Sequence, residues 1–192
     1  ARSLGSRVES LCPTGAEAHV AFGGLRDLVA QVGLSSFEAL PEPQRLAVRA
    51  AVAEESPSGA APQLALLAGV LGGLERASAE VPVLVTIDDL HWLDQASHAA
   101  LQYAARRTSG AIAYLWTRRP RDQQRRGPMD LGHDEIATVG PLSAAEIRQV
   151  VLTRSATGVA RLRLGRIVEL AAGNPFVALQ LALSVGAAPG GE

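Results

Sequence analysis

The chain has 192 residues, 47% of them hydrophobic and 19% charged, with a formal net charge of -1. That balance is too apolar for a disordered chain, and it offers no global basic field to attract nucleic acid. The longest apolar-plus-glycine run, Leu64 to Leu74, is shorter than the ~20 residues that cross a bilayer, so no spanning helix is predicted.

All 18 Lys+Arg positions are Arg, a bias that fits genomic base composition better than function. Cys12 is the only cysteine; this excludes an intrachain disulfide and a multi-cysteine metal site, and it fits a reducing cytoplasm. The opening ARSLGSR starts on Ala1 and lacks the apolar core of a signal peptide. The expectation is a piece of a longer protein.

In chain order, Arg7 to Leu11 reads as a short strand. Phe22, Leu25, Leu28, Val29 and Val32 then recur at helical spacing, with Gly33 as the stop. Leu40-Pro41 opens a second amphipathic stretch through Val52. Ser56 to Pro62, SPSGAAP, is loop chemistry, and a longer helix follows with Leu64, Leu67, Leu71 and Leu74 on one face. Val83 to Ile87 is a continuous, mainly β-branched apolar run, which suits a parallel strand covered on both faces. Asp94 is placed to cap a helix running to about Arg107, and Ala111 to Trp116 is the next strand.

After the charged loop RRPRDQQRRGPMD, Glu135 to Val139 reads as a further short strand. Ser143 and Glu146 form a capping box at the start of a helix. Leu162 to Ala172 is helical, Gly173 supplies a stop, and Pro175 begins another helix through about Val185. The expected fold class is α/β, with a parallel sheet and flanking helices over residues 1–140 and a helical segment over 141–192.

The chemistry centres on VLVTIDDLHWLD. In open α/β sheets a ligand lies beyond the C-terminal ends of the strands, which is where Asp88 and Asp89 fall. A carboxylate there can hold magnesium through a bound water while phosphates complete the octahedron, and Asp88 is the candidate. Asp89 is the candidate for orienting or deprotonating an attacking water. The plainer alternative is two aspartates closing a strand into a turn, where the side chain bonds the nearby backbone. Arg118, and after it Arg119, follow the next strand at the equivalent edge, where a guanidinium can meet a terminal phosphate.

Five of the nine residues from Arg118 to Arg126 are Arg, and most of them read as a solvated loop. His91 is not favoured as metal ligand or base, and Trp92 with Leu93 reads as an anchor of the turn. A phosphate loop of the form GxxxxGK[ST] is not found. The glycine pairs with its spacing, Gly127 with Gly132 and Gly186 with Gly191, are followed by His133 and Glu192.

Taken in order, AFGGLRDLV, ALPEPQRLAVRAAV, LALLAGVL, DDLHWLD and AAGNPFVALQL resemble the ATPase region of the large LuxR-type transcriptional regulators, within the signal-transduction, AAA+-related P-loop ATPases. The resemblance runs from about Val8 to Leu183, and it implies a partial P-loop NTPase core over residues 1–140 followed by a partial helical lid over 141–192. It implies that IDDLHWLD is the Walker B segment, with Asp88 for magnesium and Asp89 for hydrolysis. It likewise implies that Arg118 is the sensor arginine and that Asn174 and Pro175, in GNP, contact the adenine side. Alone, GNP is also what a helix C-cap followed by an N1 proline produces.

The resemblance further implies ATP and Mg2+ as cofactors, a Walker A loop upstream of Ala1, and other domains of a parent regulator as partners. DNA contact is expected only through a helix-turn-helix beyond the last residue, with an ATP-dependent oligomer and no membrane. The alternative is a non-enzymatic interaction module that keeps the fold without the nucleotide.

Overall fold

The computed structural model describes residues 5–53, 60–119, 131, 135–154 and 161–187. The chain divides into two units, Ala1–Asp134 and Glu135–Glu192, each with its own buried apolar cluster. Among the described residues no helix is long and apolar enough to cross a membrane.

In the first unit the strands β1 (Arg7–Leu11), β2 (Val83–Ile87) and β3 (Ile112–Trp116) form a parallel sheet in the order β1-β2-β3. Arg7, Val83 and Ile112 share one row, and Leu11, Ile87 and Trp116 share another. All three strands therefore end at the same edge. Among the described residues these helices accompany them: α1 (Gly23–Val32), α2 (Ser35–Glu38), α3 (Glu42–Val52), α4 (Ala60–Ser78) and α5 (Gln95–Ala105). The expected strands at Arg7 to Leu11 and Val83 to Ile87, and the helix stopped by Gly33, form as read.

Three details depart from the sequence reading. First, Val83, Val85 and Ile87 join side chains of α1, α3, α4 and α5 in one core, whereas Leu84 and Thr86 are half-buried and Leu115 is 60% exposed. The unbroken apolar run predicts cover on both faces of β2, yet among the described residues only one face is fully buried.

Second, the buried stripe of α4 is Leu66, Val70, Leu74 and Ala77, with Leu67 and Leu71 at its border and Leu64 58% exposed. The helix is apolar nearly all round, so its periodicity left the choice of seam open. Ala60 to Pro62, expected in a loop, open this helix, and the rest of that loop lies outside the described residues. Third, Glu135 to Val139 is not a strand. Its segment is exposed, with Val139 at 94%, so it has neither a buried face nor a ladder to pair with.

Glycines in α4 decide how closely its neighbours approach. A Cβ on Gly69 would stand 2.8 Å from Val48 and 3.0 Å from the Gln44 carbonyl oxygen, and one on Gly73 would stand 2.1 Å from the Phe37 ring. Phe37 is buried, so the ring has little room to give. Gly73→Ala gains about 1 kcal/mol of helix propensity, but overpacking costs about 1–3 kcal/mol. The expected net effect is a loss of up to about 2 kcal/mol in urea unfolding; a variant more stable than the parent sequence would show that α4 and α2 separate easily.

At the outer side of the sheet, Gln31 of α1 behaves like a one-residue neighbouring strand. Its Oε1 accepts from Ser10 N at 2.7 Å, and its Nε2 donates to Ser10 O at 2.9 Å. Arg7 forms an ion pair with Glu9, whose side chain is 6% exposed. Arg7 also donates to Val32 O at 2.8 Å, at the end of α1 where the last carbonyls lack helical partners and a cation is favourable.

The second unit contains α6 (Ala144–Arg154), α7 (Arg161–Ala171) and α8 (Pro175–Ala187), packed through Ile147, Val151, Leu164, Ile167, Ala171, Ala178 and Ala182. The capping box forms as read: Ser143 N donates to Glu146 Oε2 at 2.7 Å, and Glu146 N donates to Ser143 Oγ at 3.3 Å. These bonds, the backbone one foremost, hold the Glu146 carboxyl below its ordinary range.

Candidate functional site

Ile87 is the last residue of β2, and the chain then turns through Asp88 and Asp89 into a single 3-10 turn, Leu90–Trp92. Asp89 is left-handed, φ 53 and ψ 54, a conformation that aspartate tolerates better than most residues. Leu90 and Leu93 are buried and fix the turn to the core. The Trp92 ring is half-buried against the loop at Gly15, where an added Cβ would meet it at 3.3 Å. The expected anchoring by Trp92 and Leu93 thus belongs chiefly to Leu93, joined by Leu90.

Asp88 sits at the common C-terminal edge of the sheet, its N-H donating to Leu11 O at 2.9 Å. Thr117, the first residue after β3, ties the turn together. Its hydroxyl donates to Asp88 Oδ1 at 2.6 Å and accepts from Asp89 N at 2.8 Å. Its backbone donates to Ile87 O and accepts from Leu90 N, both at 2.9 Å.

Asp89 Oδ2 lies 3.8 Å from the Arg119 guanidinium, and its Oδ1 lies 3.8 Å from Nδ1 of the buried His91. Arg118 is half-buried beside Thr117. Asp88, Asp89 and Arg118 are thus gathered at one sheet edge, and among the described residues the guanidinium within ion-pair range of Asp89 is Arg119's. The donor set suits a hard cation: two neighbouring carboxylates, with Asp88 Oδ2 taking no hydrogen bond among the described residues.

Asn174 and Pro175 lie in the second unit. Asn174 Oδ1 accepts from Phe176 N at 3.0 Å and from Val177 N at 3.3 Å, capping α8. Gly173 precedes it at φ 81, and a Cβ there would stand 2.5 Å from Pro141 Cβ and 2.8 Å from Leu142 O. The turn geometry alone accounts for glycine, asparagine and proline in this order.

Behind the site, Asp94 does more than cap α5. Its Oδ1 accepts from Ser97 N at 3.0 Å, as expected of a cap, and also from Phe22 N at 2.9 Å, while Oδ2 accepts from Gly24 N at 3.2 Å. Ser97 Oγ accepts from Leu25 N at 2.8 Å. One carboxylate and one hydroxyl therefore cap the N-termini of two helices, and Phe22 enters α1 in a left-handed conformation, φ 63. Gly24 is needed here because a Cβ would stand 2.3 Å from Leu93 Cδ1.

A sequence model of the AAA ATPase domain matches residues 5–116, more than half of the chain and the whole of the three-stranded sheet. The chain belongs to the AAA ATPase domain family. No curated protein and no solved structure matches it. Within this AAA ATPase domain, the parallel sheet and flanking helices are those of a partial P-loop NTPase core. The matched span contains Asp88 and Asp89 and ends at Trp116, one residue before Thr117.

Sequence reading passed over Thr117 and the second role of Asp94. The only signal for the first was a hydroxyl residue directly after a strand. For the second it was the glycine pair Gly23-Gly24, which marks a close approach without naming what approaches.

Proposed function

We propose that this AAA ATPase domain is part of an ATP-binding, ATP-hydrolysing regulatory switch of the LuxR-type regulator kind, carrying the magnesium-and-water half of the nucleotide site. The observation that carries the reading is the pair Asp88-Asp89 at the C-terminal edge of a parallel sheet, with Thr117 bonded to both residues. Asp88 would hold Mg2+ through a bound water, and Asp89 would orient or deprotonate the attacking water. Arg118 would meet the terminal phosphate as charge builds there, and Asn174 and Pro175 would face the adenine side. Magnesium, when bound, neutralises phosphate charge.

The phosphate cradle is assigned to a GxxxxGK[ST] segment N-terminal to Ala1, because backbone N-H groups and a lysine cannot be replaced by two carboxylates. Nucleotide binding would then favour one arrangement of the parent, and hydrolysis would reset it. DNA contact belongs to a helix-turn-helix outside these residues, in a cytoplasmic protein that oligomerises with ATP.

Calorimetric titration of this chain with magnesium-ATP tests the division of the site. The expected result is no micromolar binding by residues 1–192 alone and its appearance when the upstream segment is present. Micromolar binding by the chain alone would overturn the need for the loop.

A further inference from the structure

Beyond the C-terminal end of β1 lies a cavity of about 230 Å³, lined from the strand end, the first turn of α1 and the turn that carries Trp92. We infer that it binds a small organic cation, an ammonium or guanidinium group on a short apolar body. The volume falls below the roughly 300–1,000 Å³ of sites for drug-sized ligands, so the occupant is small. Leu11 and Leu93 are buried, and with Pro13, Val20 and the half-buried Trp92 they give that body an apolar wall.

The sign of the charge follows from which polar groups are already committed. A helix N-terminus ordinarily favours an anion. In α1 those donors are taken: Gly23 N donates to Val20 O at 3.3 Å and Arg26 N to Phe22 O at 2.9 Å, Gly24 N to Asp94 Oδ2 at 3.2 Å, and Leu25 N to Ser97 Oγ at 2.8 Å. The Asp94 carboxylate that occupies this end also repels an arriving anion.

The lining residues carry three carboxylates, Glu17, Asp27 and Asp94, against one guanidinium, Arg26. Asp94 is committed to its N-H donors, and Glu17 Oε2 accepts from Thr14 N at 3.2 Å and from Thr14 Oγ1 at 2.7 Å. Glu17 Oε1 and the Asp27 carboxylate take no hydrogen bond among the described residues. A cationic head meets these oxygens and gains from the neighbouring Trp92 ring, while its apolar body meets the leucines.

The test titrates this chain with benzylammonium, benzyl alcohol and phenylacetate, and reads the backbone amide and indole N-H resonances. Benzylammonium is expected to saturate with a midpoint roughly in the millimolar range, and to shift the resonances of Leu11, Gly23, Gly24 and Trp92 most. Benzyl alcohol should bind more weakly, and phenylacetate more weakly still. Asp27 is exposed, so its replacement leaves the core intact. Asp27→Asn raises the benzylammonium midpoint about two- to fivefold, the range of one exposed ion pair, and Asp27→Arg raises it further.

Glu17→Gln replaces either variant if its amide fingerprint shows it unfolded. Failure of benzylammonium to saturate, or shifts centred on other residues, would overturn the site. Binding of the alcohol or of phenylacetate as tight as that of benzylammonium, or a midpoint unchanged in Asp27→Arg, would overturn its preference for a cation.

Discussion

Asp94→Ala is expected to cost the first unit about 3–5 kcal/mol, the largest stability loss of any single polar substitution described above. An ordinary cap contributes about 1 kcal/mol because it satisfies one orphan N-H. Asp94 satisfies three, from Phe22, Gly24 and Ser97, with its side chain buried at 5% exposure. Removing it strands donors at the starts of two helices, the Ser97 N-H buried and those of Phe22 and Gly24 part-buried, and a stranded buried donor costs about 1–3 kcal/mol.

Whole domains are stable by only about 5–15 kcal/mol, so the variant should sit near the edge of folding. Asp94→Asn keeps an acceptor oxygen and should lose about 1–2 kcal/mol. Urea titrations of both variants provide the check. A loss below about 1 kcal/mol for the alanine variant would mean that the α1 cap is dispensable.

Asp89→Asn is the second expected large effect, this time on chemistry. In a parent protein carrying the proposed phosphate loop, ATP hydrolysis should fall roughly 10²–10⁴-fold, the usual contribution of a general base, while ATP affinity stays close to that of the unsubstituted protein. Asparagine is the informative replacement because it tolerates the left-handed backbone of residue 89 about as well as aspartate does. Alanine would add roughly 1–2 kcal/mol of backbone strain and confuse the reading. Single-turnover hydrolysis and nucleotide binding, measured on the same protein, separate the two effects. Hydrolysis at the parent rate would remove Asp89 from the reaction and leave it as a turn residue held by Thr117.

Much of the core is legible in the sequence. β1, β2, α1 and the cap at Asp94 follow from periodicity, β-branching and cap chemistry, all of which act over a few neighbouring residues. Leu64 was misassigned because α4 is apolar on nearly every face, so the stripe that is buried depends on where α3 and α2 press against Gly69 and Gly73. Glu135 to Val139 has strand-like residues, but a strand exists only where a neighbouring ladder accepts it.

At the site, Asp88 and Asp89 announce themselves by following an apolar run. Thr117 does not, because its importance comes from the register that sets Trp116 beside Ile87 across the sheet. The same limit applies to Arg118 and Arg119: composition brings arginines to the edge, and only the fold decides which one lies near Asp89. Asn174 sits in a turn whose capping needs already explain it.

The pairing of Ser10 with Gln31 has a bearing on how the chain is made. β1 leaves the ribosome long before β2, and adding the residues from Leu11 to Val83 takes roughly 4–14 s at common rates of synthesis. Throughout that interval the side of β1 that will receive β2 has no ladder. The opposite side is different, because Gln31 is synthesised soon afterwards and can close the Ser10 N-H and carbonyl as soon as α1 forms. The nascent strand is thus left with one adhesive side rather than two, and a Gln31→Ala chain should lose more material to aggregation during translation than its equilibrium stability would suggest.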